Sequence, residues 1–174
     1  RPSAMQLARR LGIEYREGFY KNRYVGRTFI MPGQSVRKKT VRQKLNAMST
    51  EFRGKNVLLV DDSIVRGTTS GQIVDMARAA GAASVTFASA APPVLFPHVY
   101  GINMPTRAEL IAHGRTKDEI TRVMGADHLL YQTVEGMNRA ILRGQDSVTE
   151  LEQSCFTGEY LAGSVTPEYL AYVE

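Results

Sequence analysis

The chain has 174 residues, 43% of them apolar and 22% charged, with a net charge of +5. That is enough for one compact domain with a real core, and it excludes a disordered polyelectrolyte. The longest apolar runs are too short to span a bilayer, the opening Arg1-Pro2-Ser3-Ala4-Met5 has no charged-then-apolar signal pattern, and a lone cysteine, Cys155, excludes an internal disulfide framework and fits a reducing cytoplasm.

Taken in chain order, the pattern predicts a helix over about Ser3–Leu11, ended by Gly12, then a short strand over Ile13–Gly18. A chain that opens at a helix start without an initiator methionine reads as a piece of something longer. Phe19–Gly33 reads as a mobile loop, and Ser35 to about Ala47 as an amphipathic segment with Val36, Val41 and Leu45 on its apolar side. Between Lys21 and Lys44 stand Lys21, Arg23, Arg27, Arg37, Lys38, Lys39, Arg42 and Lys44, with no acid. Such a block attracts polyanions, although a solvated surface reads equally well from the block alone. A buried strand, Val57–Val60, is followed by a loop and a helix from Thr68 to Ala80 closed by Gly81, with Ile73, Met76, Ala77 and Ala80 sharing a face. A second strand, Ser84–Ala91, is stopped by Pro92 and Pro93. Val94–Pro105 reads as a surface crossing. Helices are expected at Arg107–His113 and Lys117–Met124, a third strand at Ala126–Tyr131 and a helix at Val134–Arg143. The rest is irregular until a short helix at Pro167–Tyr172. Alternating strands and helices at this spacing imply an α/β fold, a mostly parallel sheet with helices on both faces. Ligands of such sheets gather beyond the carboxyl ends of the strands.

Asp61 and Asp62 lie at such an end. After them come Ser63, the turn residues Arg66 and Gly67, and the hydroxyls Thr68, Thr69 and Ser70 at a helix start. The first N–H groups of a helix lack internal partners and its dipole favours an anion. Gly67 lets the backbone approach a ligand closely. Paired carboxylates suit sugar hydroxyls or a Mg²⁺ ion with its water shell. Phosphate on one side and diol on the other describes a ribose 5-phosphate. An ordinary turn at Asp62-Ser63 and an ordinary cap at Thr68 is the plainer reading, but the acid pair followed at this spacing by Arg-Gly-Thr-Thr-Ser is much rarer.

The run Val60-Asp61-Asp62-Ser63-Ile64-Val65-Arg66-Gly67-Thr68-Thr69-Ser70 resembles the phosphoribosyl pyrophosphate signature of type I phosphoribosyltransferases. Tyr15–Phe19, Lys21–Ile30, Pro32-Gly33-Gln34, Ala88–Pro92, Tyr100-Gly101-Ile102 and Glu109-Leu110-Ile111-Ala112 resemble the amidophosphoribosyltransferase family within it, from Arg1 to about Tyr160. The resemblance implies a later half of the transferase domain over 1–145, with a C-terminal extension over 146–174. It implies that ammonia from glutamine displaces pyrophosphate from phosphoribosyl pyrophosphate, giving 5-phosphoribosylamine in purine synthesis. Asp61 and Asp62 would contact the ribose hydroxyls and Mg²⁺, with Ser63 beside them, and Arg66, Gly67, Thr68, Thr69 and Ser70 would hold the 5-phosphate. Lys21–Lys44 would be the loop that closes over the substrate, with Lys21, Arg23, Tyr24 and Arg27 as its catalytic contacts. Purine nucleotides would be feedback inhibitors and the full enzyme a homo-oligomer.

The family enzyme also carries an N-terminal glutaminase domain that begins with a catalytic cysteine, and transferase strands with a pyrophosphate loop ahead of the position of Arg1. Neither is found in this sequence, so the chain is expected to be a fragment, inactive alone. Some relatives bind an iron–sulfur cluster through cysteines near Cys155. With Glu152 three residues earlier and no second thiol, no cluster is expected. His98, His113 and His128 lack metal-ligand spacing. Two rivals remain open. A nucleobase salvage transferase would share the phosphate loop but match Lys21–Ile30 and Tyr100–Ala112 poorly. A regulator or nucleic-acid module would use the basic block, yet no recognition-helix or RNA-binding motif accompanies it. Neither a nucleic acid nor a membrane is therefore expected as a partner.

Overall fold

The computed structural model describes residues 1–21, 45–101, 106–144, 146–163 and 165–173. Helix α1 (Pro2–Leu11) starts on a proline whose missing N–H would have no intrahelical partner, and ends at Gly12 in the left-handed region (φ 65°). The strand expected over Ile13–Gly18 is instead irregular, and pairing begins one residue later. Strand β1 (Phe19–Lys21) runs antiparallel to β2 (Leu45–Ala47), with Phe19 opposite Ala47. A strand needs a neighbour for its backbone groups, and β2 reaches only residues 19–21; Ile13 is left 49% exposed. Gly18 crosses the Phe52 ring so closely that a Cβ there would lie 2.5 Å from it. The end of the segment read as amphipathic is thus a strand, while its residues 35–44 lie outside the described ones.

After the short helix α2 (Ser49–Phe52) come β3 (Asn56–Asp61), α3 (Thr68–Ala79) and β4 (Ser84–Ser89). Later elements are α4 (Lys117–Met124), β5 (His128–Tyr131), α5 (Val134–Ile141), α6 (Ser154–Thr157) and α7 (Pro167–Val173). Strands β3, β4 and β5 form a parallel sheet in that order. Right-handed crossovers between successive parallel strands put α3 and α4 on the same face, and the two helices pack on each other. Val85, Phe87 and Leu129 of that face join Val74 and Ala77 of α3 and Ile120 and Met124 of α4 in the core. Helix α1 packs against β3, with Ala8 buried outside this cluster. This is the helix-flanked parallel sheet expected from the sequence. Among the described residues no helix is long and apolar enough to cross a membrane.

Two expectations fail for the same reason, a distant partner. Val94 and Pro97 are buried rather than on a surface crossing. The Leu95 and Phe96 amides donate to the Cys155 carbonyl (2.8 and 3.1 Å), and the Tyr160 hydroxyl donates to the Pro97 carbonyl (2.8 Å). Residues 95–97 thus take their partners from a segment some sixty positions on. The helix expected at Arg107–His113 is a single 3₁₀ turn, Arg107–Glu109, followed by extended backbone at Leu110 (φ −73°, ψ 120°). Leu110, Ile111 and Ala112 are all at least 96% buried. One face of a helix against a core cannot bury three consecutive residues.

Candidate functional site

The three parallel strands end in a row. Asp61 pairs in register with Ser89, and Ser89 with Tyr131. Beyond the ladder the Ala90 amide donates to the Asp61 carbonyl (2.9 Å) and the Gln132 amide to the Ser89 carbonyl (3.2 Å). The Asp61 carboxylate is half-buried, and it accepts the Asp62 amide at 3.0 Å. Burial pushes its pKa up, more than that bond pulls it down. Asp62 is exposed and accepts the Ser63 hydroxyl at 2.7 Å. Tyr131, half-buried at the far end of the row, has its hydroxyl pKa pushed up to about 12 by desolvation.

The loop then dips and rises. Ile64 is fully buried and plugs the core. Val65 accepts the Ile111 amide at 2.9 Å. Arg66 Nε donates to Glu109 Oε1 at 3.1 Å. Gly67, not Thr68, caps α3, with φ 73° and no side-chain cap for the first turn. The first helical bond runs from the Gly71 amide to the Gly67 carbonyl (2.8 Å). The amides of Thr68, Thr69 and Ser70 therefore have no side-chain cap to answer them. Thr69 is exposed and Thr68 half-buried at that rim, whereas Ser70 is 96% buried on the core side of α3. A polar, positively polarised helix start follows two carboxylates after a short loop, a combination that can hold an anion and a polyol together.

The structure thus brings together Asp61, Asp62, Ser63, Arg66, Gly67, Thr68, Thr69 and Ser70 as one loop and helix start. Of the basic segment, Lys21 ends β1, while Arg23, Tyr24 and Arg27 lie outside the described residues. For a metal, the donor set is two adjacent carboxylates, and no group of three or more His, Cys, Asp or Glu side chains clusters among the described residues. That set does not make a protein cage, but it fits Mg²⁺, which keeps several waters and is held by one or two carboxylates plus ligand phosphates. Cys155 is a half-buried free thiol whose pKa is pushed up by burial and then by Glu152. Glu152 itself is held by His98 Nε2 (3.2 Å) and the Ser154 amide (2.9 Å).

Sequence reasoning missed the part played by Glu109–Ile111, which touches three successive loop residues from more than forty positions away. Its only signal was the resemblance of Glu109-Leu110-Ile111-Ala112 to a family motif; no periodicity marks it.

No family model matches the chain. It is 56% identical over all 174 residues to amidophosphoribosyltransferase of Pseudomonas aeruginosa, 56% over 171 residues to that of Escherichia coli, and 51% over 174 residues to that of Schizosaccharomyces pombe. It spans 35%, 34% and 32% of those relatives' lengths, about a third. Among solved structures, glutamine phosphoribosylpyrophosphate amidotransferase from B. subtilis, complexed with ADP and GMP, superimposes with a TM-score of 0.80 at 44% identity, over 99% of this chain and 38% of that one. A structure described as the allosteric regulatory enzyme of purine biosynthesis gives a TM-score of 0.76 at 45% identity, over 96% of this chain and 36% of that one. The chain is homologous along its whole length to part of an amidophosphoribosyltransferase, and its fold is that of a partial type I phosphoribosyltransferase.

Proposed function

From a homology that covers the chain end to end but only about a third of its relatives, we propose that this chain is the phosphoribosyl-gripping part of an amidophosphoribosyltransferase. The reaction of the whole enzyme would replace the pyrophosphate of phosphoribosyl pyrophosphate by ammonia drawn from glutamine, giving 5-phosphoribosylamine for purine synthesis. The observation that carries the reading is the uncapped start of α3 beside the carboxylates that close β3. The amides of Thr68, Thr69 and Ser70 and the hydroxyls of Thr68 and Thr69, with Gly67 and Arg66, take the 5-phosphate, while the Ser70 hydroxyl is buried against the core. Asp61 and Asp62, steadied by Ser63, take the ribose hydroxyls. The same two carboxylates would hold Mg²⁺ together with the pyrophosphate, and the bound ion supplies charge neutralisation on the leaving group. Lys21, Arg23, Tyr24 and Arg27, in the acid-free block, would cover the pyrophosphate and keep water from the electrophilic sugar carbon.

Purine nucleotides are proposed as inhibitors, a reading supported by the ADP and GMP of the superimposed B. subtilis enzyme. A homo-oligomeric, cytoplasmic full-length enzyme fits the family resemblance and the single cysteine. The rival nucleobase transferase is disfavoured by identity that extends through all 174 residues to amidophosphoribosyltransferases. Calorimetric titration with phosphoribosyl pyrophosphate, with and without Mg²⁺, tests the proposal. Mg²⁺-dependent binding that Asp61→Asn abolishes is expected. Binding that ignores both the ion and the substitution would count against it.

A further inference from the structure

We propose that Glu109 is a positioning residue of the phosphate loop, acting through Arg66; the inference rests on the reading of that loop as a phosphate site. Three successive loop residues are each held by one group from the segment 109–111. Val65 accepts the Ile111 amide at 2.9 Å, Arg66 pairs with the Glu109 carboxylate at 3.1 Å, and Gly67 lies against the Ile111 side chain. The segment is a firm base for this. Leu110, Ile111 and Ala112 are buried to 0, 4 and 4% exposure, and Arg115 Nη1 donates to the Ile111 carbonyl at 3.1 Å.

The geometry of the pair distinguishes it from a stray surface contact. Glu109 takes Nε of Arg66, the one guanidinium N–H that points sideways from the fork, and among the described residues no partner holds Nη1 or Nη2. The two Nη groups are the donors that engage a phosphate as a planar fork. Fixing Nε orients that fork beside the start of α3 before any ligand arrives. The side-chain entropy of Arg66 is then lost on folding rather than on binding. Glu109 does not touch the ligand in this arrangement. It tightens binding only as long as Arg66 is present to be oriented. A carboxylate that merely competed with phosphate for Arg66 would act in the opposite direction.

A double-mutant cycle on ribose 5-phosphate affinity, measured by calorimetry on this chain, separates these cases. Glu109→Ala is expected to weaken binding about threefold or more. Glu109→Gln, whose amide oxygen still accepts from Nε, should recover most of the loss. In an Arg66→Ala background, Glu109→Ala should change affinity less than about twofold. Equal losses in both backgrounds, or unchanged or tighter binding in Glu109→Ala, would overturn the inference and leave the phosphate site standing. A purely structural role would lower the thermal midpoint of both Glu109→Ala proteins without any Arg66-dependent change in affinity, and so would also overturn it. If the wild-type chain binds neither ribose 5-phosphate nor inorganic phosphate, the phosphate reading falls, and this inference falls with it.

Discussion

The Ile111 side chain occupies the space that a β-carbon on Gly67 would fill, so the two residues fit only because one of them is glycine. Gly67 also needs the left-handed region, at φ 73°. Gly67→Ala is expected to destabilise the chain by about 1–2 kcal/mol from the backbone alone, and by more from the collision. Urea denaturation of Gly67→Ala with and without Ile111→Ala measures the two parts. Truncating Ile111 should return the steric part and leave the backbone part. Equal stability of the two alanine-67 proteins, relative to their own parents, would show that Ile111 does not close on the loop.

Asp61 carries a conflict between stability and use. Burial raises its folded-state pKa above the usual carboxylate value of about 3.9. The folded state therefore binds its proton more tightly than the unfolded chain does. The stability associated with that proton is full below the unfolded value and is lost as pH rises through the raised folded one. Asp61→Asn should accordingly gain stability over wild type as pH climbs from 4 toward neutrality, in the absence of ligand, while losing Mg²⁺-dependent binding. Denaturation midpoints across that range check the sign; a constant difference between the proteins would refute it.

Asp127 should behave in the opposite way. Its carboxylate accepts the Val85 amide at 2.7 Å and Arg78 Nη2 at 2.9 Å, tying α3 to the start of β4. These bonds lower its pKa, the backbone amide first. A depressed folded-state pKa contributes stability above the unfolded value of about 3.9, and that stability is lost as pH falls through the folded one. Asp127→Asn should therefore be less stable than wild type at neutral pH, with the gap closing in acid. Acid-unfolding curves of the two proteins are the measurement.

The start of α4 offers a calibrated test of local structure. Thr116 Oγ1 accepts the Glu119 amide, and the Glu119 carboxylate returns a bond to the Thr116 amide at 2.7 Å. Thr116→Ala should cost about 1 kcal/mol, read as a shift of the urea midpoint at unchanged slope. Since α4 lies outside the loop, ribose 5-phosphate affinity should be unaffected.

How legible the molecule was in its sequence follows from the range of the forces involved. Helix α4 was readable to the residue, because Thr116, Glu119 and Gly125 are local signals that act within a turn. The run from Asn56 to Ala79 was nearly as clear, with a continuous apolar strand, an acid pair, a glycine and then helical spacing. What escaped depends on partners far along the chain. The three-residue strand β1 exists because Leu45–Ala47 lies beside it. The buried course of Val94–Pro97 depends on Cys155 and Tyr160. The face of α3 was read correctly at Ala77 and Ala80, which are buried, and at Ile73, which packs against the core, but Val74 was missed. Val74 is fully buried with Ala77, while Ile73 and Met76 are half-buried; the helix packs on α4 as well as on β4. At the site, the loop itself was legible from residue chemistry, but its clamp by Glu109 and Ile111 was not, since only the fold brings 109–111 to 65–67.

The central claim is that a phosphorylated ribose is held by the free amides at the start of α3. Titrating the ¹⁵N-labelled chain with ribose 5-phosphate tests it most directly. The account predicts saturable shifts of the Gly67, Thr68, Thr69 and Ser70 amides, matched by Asp61 and Asp62, with α4 and α5 unmoved. Shifts confined to the surface lysines and arginines, with the amides of 67–70 unchanged at saturation, would contradict it.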